Sequence, residues 1–254
     1  MKNILLSNIK YGLFSKQFLF CSLFIPPIIF VSSLGSLFTI FRNGVLLQYD
    51  YHSFFILEAL STNTIIFFVP IISVLPMGSS FIEDIKNNYT KYYIFRSKRF
   101  PYILGRSLGV YVSGGLSLLS GILIAYFLAA LLFMPIEKAP DMPSDLSSGF
   151  RQVLSSGMLF FLSGGFWALV GLSLSTFMES KYISYASPFI SFYLLMIVHE
   201  RYLNYLFIIN PKEWLIPSKK WLFGEVGVVI WVIELSIVVA VIFYWNASRR
   251  LNQL

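Results

Sequence analysis

The chain has 254 residues, of which 57% are hydrophobic and only 12% charged, with a mean hydropathy of +0.73. Soluble domains carry roughly 25% charged residues, so this balance excludes an ordinary soluble enzyme and points to a bilayer, with room for about six spans of roughly 20 apolar residues. The net charge of +7 then reads as cytoplasmic loops enriched in Lys and Arg rather than as a nucleic-acid surface. A lone Cys21 excludes an internal disulfide and a Cys-based zinc site.

Residues 1–17 place Leu5, Leu6, Ile9 and Leu13 near one helical face and Asn3, Ser7 and Lys10 near another, as in a helix lying in the headgroup plane. The polar lead is long and no Ala-x-Ala-type site follows, so a cleaved signal peptide is not expected. Apolar runs bounded by charge or turn residues predict six transmembrane helices, at 18–41, 54–80, 107–134, 154–178, 182–198 and 226–245. Pro26, Pro27, Pro70 and Pro188 fall inside these runs, where neighbouring helices re-satisfy the freed carbonyls. Between the last two spans, residues 199–225 alternate Tyr202, Tyr205, Trp214 and Trp221 with charges, Pro211 and Pro217. They predict a re-entrant outer segment of two half-helices broken at Asn210-Pro211. The expected architecture is an all-α integral membrane protein forming one domain.

Counting Lys and Arg in alternate loops gives twelve on one side, including Lys86, Lys91, Arg96, Lys98, Arg99 and Arg106, against seven on the other. The positive-inside rule thus places both termini in the cytoplasm of a multi-pass plasma-membrane protein. The polar stretch 81–106 faces the same way.

No phosphate-binding loop is present, and His52 and His199 have neither HExxH spacing nor a Cys partner. No catalytic set or metal site is expected. Leu162-Ser163-Gly164-Gly165 reads as small residues allowing close helix packing. Glu58 and Glu234 lie inside spans, and an ionisable residue there is a functional candidate by default. Each is a candidate for the translocation path. Glu234 either lines a path or relays protons, or is a protonated hydrogen-bond partner of a neighbouring Ser or Tyr.

The loop after the second span contains Phe81-Ile82-Glu83-Asp84, then Asn88-Tyr89-Thr90, then Arg96-Ser97-Lys98-Arg99, then Tyr102-Ile103-Leu104-Gly105-Arg106. With six spans, an amphipathic lead-in and both ends inside, this order resembles the permease subunits of type-2 ABC transporters. Their corresponding loop tends to run F-x-x-E/D, N-G-T, S-P-x-x-R, Y-x-x-x-K. Tyr89 stands here where Gly is usual, and Lys98 where Pro is usual. The resemblance implies a cytoplasmic coupling helix that docks on separate ATPase chains, two per complex, which bind the ATP and Mg. This chain would then hold no cofactor and no ATPase site of its own, and would pair with a second permease, identical or sister. Glu83, Asp84, Asn88, Tyr89, Thr90, Tyr92, Tyr93, Arg96 and Arg99 are the coupling residues so implied. The acids suit a helix start, and the tyrosines offer rigid anchors for a partner's pocket.

The short loops and many aromatics suggest export of a hydrophobic or amphipathic cargo, such as an antimicrobial or cytolytic peptide. The alternative from another class is an ATPase-independent membrane protein, either a proton-coupled carrier using Glu234 or an accessory or immunity protein.

Overall fold

The computed structural model describes residues 2–35, 37–38, 47–87, 89–90, 99–138 and 148–252. These form α1 (Lys2–Leu13), α2 (Lys16–Ser32), α3 (Tyr51–Leu60), α4 (Asn63–Val74), α5 (Ser80–Lys86), α6 (Arg99–Phe133), α7 (Ser148–Met178), α8 (Lys181–Arg201) and α9 (Glu225–Asn252). No strand occurs among the described residues. Four helices, α6 to α9, are long and apolar enough to cross a membrane, and the number rises to six if each of two bent pairs is one span. The fold is thus all-α and of membrane-spanning character.

The first bent pair is α1 with α2, turned by 51°. Ser15 makes the corner: its hydroxyl donates to the Gly12 carbonyl at 2.8 Å and accepts the Phe18 amide at 3.1 Å, which caps α2. α1 lies against α6 with its small face inward, since a Cβ on Gly12 would come 3.0 Å from that of Ser113. Leu6 and Tyr11 point outward. The helix expected in the headgroup plane therefore buries Gly12 on protein, half-buries Ile9 and Leu13, and turns Leu6 and Tyr11 outward.

The second pair corrects the continuous run predicted over 54–80. α3 and α4 meet at 72°, because the Ser61 and Thr62 hydroxyls bond back to the Glu58 and Ala59 carbonyls at 2.6 and 2.7 Å and Thr62 turns extended. Side-chain hydroxyls thereby satisfy carbonyls that helical amides would otherwise take.

α6 and α7 are the central pair. Their approach requires glycine: a Cβ on Gly114 would sit 2.6 Å from that of Ala168 and 2.6 Å from the Ser73 carbonyl, and one on Gly165 would meet the Tyr111 ring at 2.6 Å. This is the packing role read from Gly164-Gly165. α8 runs unbroken through Pro188 and follows α7 after only Glu179 and Ser180, with Glu179 in the left-handed region (φ 54°).

Residues 202–224 hold one 3-10 turn, Phe207–Ile209, in place of the two predicted half-helices. Pro211 and Pro217 remove amide donors, and Asn210 Oδ1 accepts the Lys212 amide at 3.1 Å, so the chain makes turns. The segment is anchored by Trp214, which is buried, stacks on Trp167 at 5.9 Å between centroids and donates Nε1–H to the Ile208 carbonyl at 2.8 Å.

Candidate functional site

The sequence places acids, tyrosines and arginines after the second span, and the structure gathers part of this set at one end of the bundle. α5 is a seven-residue helix that buries Phe81 and Ile82 against Tyr102 and Ile103 of α6 and Phe243 and Ala247 of α9. α6 begins at Arg99, eight residues before the predicted span, so Arg99, Tyr102 and Arg106 stand on a helix rather than in a loop.

The two acids of α5 part company. Asp84 turns inward, where its Oδ2 accepts the Tyr102 hydroxyl at 2.8 Å and pairs with the Arg106 guanidinium. Arg106 is buried; it also donates to the Ser80 carbonyl at 3.3 Å and Asn8 Oδ1 at 3.4 Å, and lies 5.7 Å over the Tyr11 ring. One guanidinium therefore fastens α1, α5 and α6 together. Glu83 is exposed, and its Oε1 accepts the Ser79 hydroxyl at 2.9 Å, which in turn meets the Tyr185 hydroxyl of α8 at 2.9 Å.

Tyr89 is 53% exposed, whereas Thr90 is fully buried. Arg99 hydrogen-bonds Asn252 at the end of α9, and Arg250 pairs with Glu179. The surface around α5 thus exposes Glu83 and Tyr89, while Asp84 and Arg106 pair beneath it. Asn88, Tyr92, Tyr93 and Arg96 lie outside the described residues.

Glu58 and Glu234 are not brought together. Each side chain is exposed on the outer surface of the chain, Glu58 in the last turn of α3 and Glu234 on α9.

A second polar cluster, which sequence reasoning missed, occupies the opposite end. His52 is buried, its Nδ1 2.9 Å from Glu137 Oε1 and its Nε2 3.2 Å from the Tyr126 hydroxyl, and its amide donates to the same carboxylate at 2.8 Å. Asp50 lies 3.5 Å away on the other flank. Among the described residues no group of His, Cys, Asp and Glu is arranged to hold a metal ion. The cluster ties the start of α3 to the segment just after α6. His52 and Glu137 are 85 residues apart, so no local pattern could reveal it.

No family model, curated protein or solved structure matches the chain, and the site is read from its own geometry.

Proposed function

We propose that the chain is the permease subunit of an ABC exporter, seated in the plasma membrane with both termini in the cytoplasm. α5 is the handle through which two separate ATPase chains move it. The ATP and Mg belong to those chains. The observation that carries this reading is the division of labour around α5: Glu83 and Tyr89 are exposed at the surface, and Asp84 clamps the helix to α6 through buried Arg106. A docking element must be exposed to be grasped and rigidly held to transmit force. A merely solvated basic loop requires neither.

Closure of the ATPases would push α5, and the Asp84–Arg106 pair would pass that displacement to α6 and to α1. The cargo is a hydrophobic or amphipathic molecule, with a membrane-active peptide as the favoured class, a reading that rests on the short loops and the 18% aromatic content of the chain.

Affinity purification of the tagged chain from its own host's membranes tests this. An ATPase chain carrying a phosphate-binding loop, together with vanadate-sensitive ATP hydrolysis, should copurify. Both should be lost with Glu83→Ala and Tyr89→Ala combined. An intact protein that retains no ATPase, or a double variant that retains it undiminished, overturns the proposal.

A further inference from the structure

At the end of the bundle where α5 packs on Phe243 and Ala247, the close of α7 and the last turns of α9 enclose a pocket of about 200 Å³. It is lined by Thr176, Phe177, Asn246, Arg249 and Arg250. Arg249 and Arg250 follow Asn246 by three and four residues, so the three share one flank of α9. Arg250 is held from two sides: it pairs with Glu179 and donates Nη2–H to the Phe177 carbonyl at 3.1 Å. Arg249 and Asn246 differ. No hydrogen bond or ion pair to either is found among the described residues, although Asn246 is half-buried and both line the pocket. Two guanidiniums and one carboxylate leave the site positive, with unpartnered donors, which is the chemistry that takes a phosphate.

The surface beside the pocket selects the kind of phosphate. Val238, Ile242 and Trp245 are exposed on α9 at spacings of four and three, in line with Arg249. Phe177 and Met178 are exposed at the end of α7. Val238 and Arg249 are eleven residues apart, about 16 Å along the axis. One leaflet of hydrocarbon is about 15 Å deep. Trp245, about one turn from Arg249, then sits where indole rings favour the headgroup boundary. A free phosphate would meet the donors and leave the apolar stripe untouched, whereas a phospholipid covers both.

We propose that the pocket binds an anionic phospholipid, its phosphate on Arg249 and Asn246 and an acyl chain along Ile242 and Val238. Basic pockets between membrane helices hold such headgroups. The bound lipid bridges α7 and α9 beside the turn that leads into α8. The inference goes beyond the permease reading and needs from it only that this end of the bundle stands at a membrane surface.

Native mass spectrometry of the full chain, purified without any ATPase into micelles holding equal amounts of phosphatidylglycerol and phosphatidylcholine, tests it. One phosphatidylglycerol should be retained in preference to phosphatidylcholine. Arg249→Ala should lower that retention about fivefold, the effect of one basic residue at an anionic surface, and Arg249→Lys should keep most of it. Asn246→Ala should lower it too. Lys16→Ala, which removes an equal charge from an exposed position on α2, should not. In a second arm, inorganic phosphate at millimolar concentration should neither form an adduct nor displace the lipid. Phosphatidylglycerol should also raise the thermal midpoint, and Arg249→Ala should remove that gain. Equal retention of the two lipids, a loss no greater for Arg249→Ala than for Lys16→Ala, or displacement of the lipid by inorganic phosphate overturns the proposal. ATPase capture plays no part in this readout, so either proposal can fail while the other stands.

Discussion

The Arg106 guanidinium, 6% exposed, pairs with the Asp84 carboxylate across the junction of α5 and α6. A charge buried to this degree is tolerated because its partner is present, and removing either member strands the other. Asp84→Ala or Arg106→Ala should each destabilise the protein by about 3–5 kcal/mol, read as a fall in thermal midpoint in detergent. Combining Asp84→Ala with Arg106→Ala should cost much less than the sum of the two single changes. Glu83→Ala, on the same helix but exposed, should leave the midpoint unchanged and act only on partner capture.

At the other end, Glu137→Ala leaves the buried His52 imidazole and backbone amide without their acceptor. An unsatisfied buried donor costs about 1–3 kcal/mol. Tyr126→Phe, which removes one partner of the ring, should cost less. The thermal midpoint in detergent should fall clearly in the first variant and less in the second. The reverse order would show that Glu137 is not the main support of His52.

The α6–α7 seam should be intolerant of a single methyl. Gly114→Ala places a Cβ 2.6 Å from both a side chain and a backbone carbonyl, and overpacking of this kind costs about 1–3 kcal/mol. Gly35→Ala, with nothing within 4 Å of the new carbon, is the control and should be neutral. Thermal midpoints of the two variants compare directly.

Trp214→Ala should cost about 3–5 kcal/mol, as expected for a fully packed aromatic. The buried indole stacks on Trp167 and meets Phe166 edge-on at 5.3 Å. Trp214→Phe retains part of the ring contact and should cost less. Loss of midpoint for the alanine variant, with retention of helical circular dichroism, would place the damage in the 202–224 segment.

Helices α6 to α9 were legible in apolar run length because a membrane helix satisfies its own backbone, and little but hydrophobic length is needed to specify it. The bend at Ser61-Thr62 was not. Serine and threonine are ordinary inside membrane helices, and only their bonds to the Glu58 and Ala59 carbonyls distinguish a corner from a continuous turn. At the candidate coupling site, the order of acids, tyrosines and arginines could be read directly. Which acid faces outward depends on Arg106, 22 residues beyond Asp84, and on how α6 docks. The His52 cluster lay beyond reach, since residues from α3, α6 and the segment after it meet only once the bundle is assembled.

α6 spans 35 residues, about 52 Å as a straight helix, and it leads through a 3-10 turn, Met134–Ile136, to Glu137. It therefore carries Arg106 near one tip and both Tyr126 and the lead to Glu137 near the other. Midway along it the glycine seam holds it against α7. The two polar clusters therefore sit at opposite ends of one continuous helix, joined through its backbone.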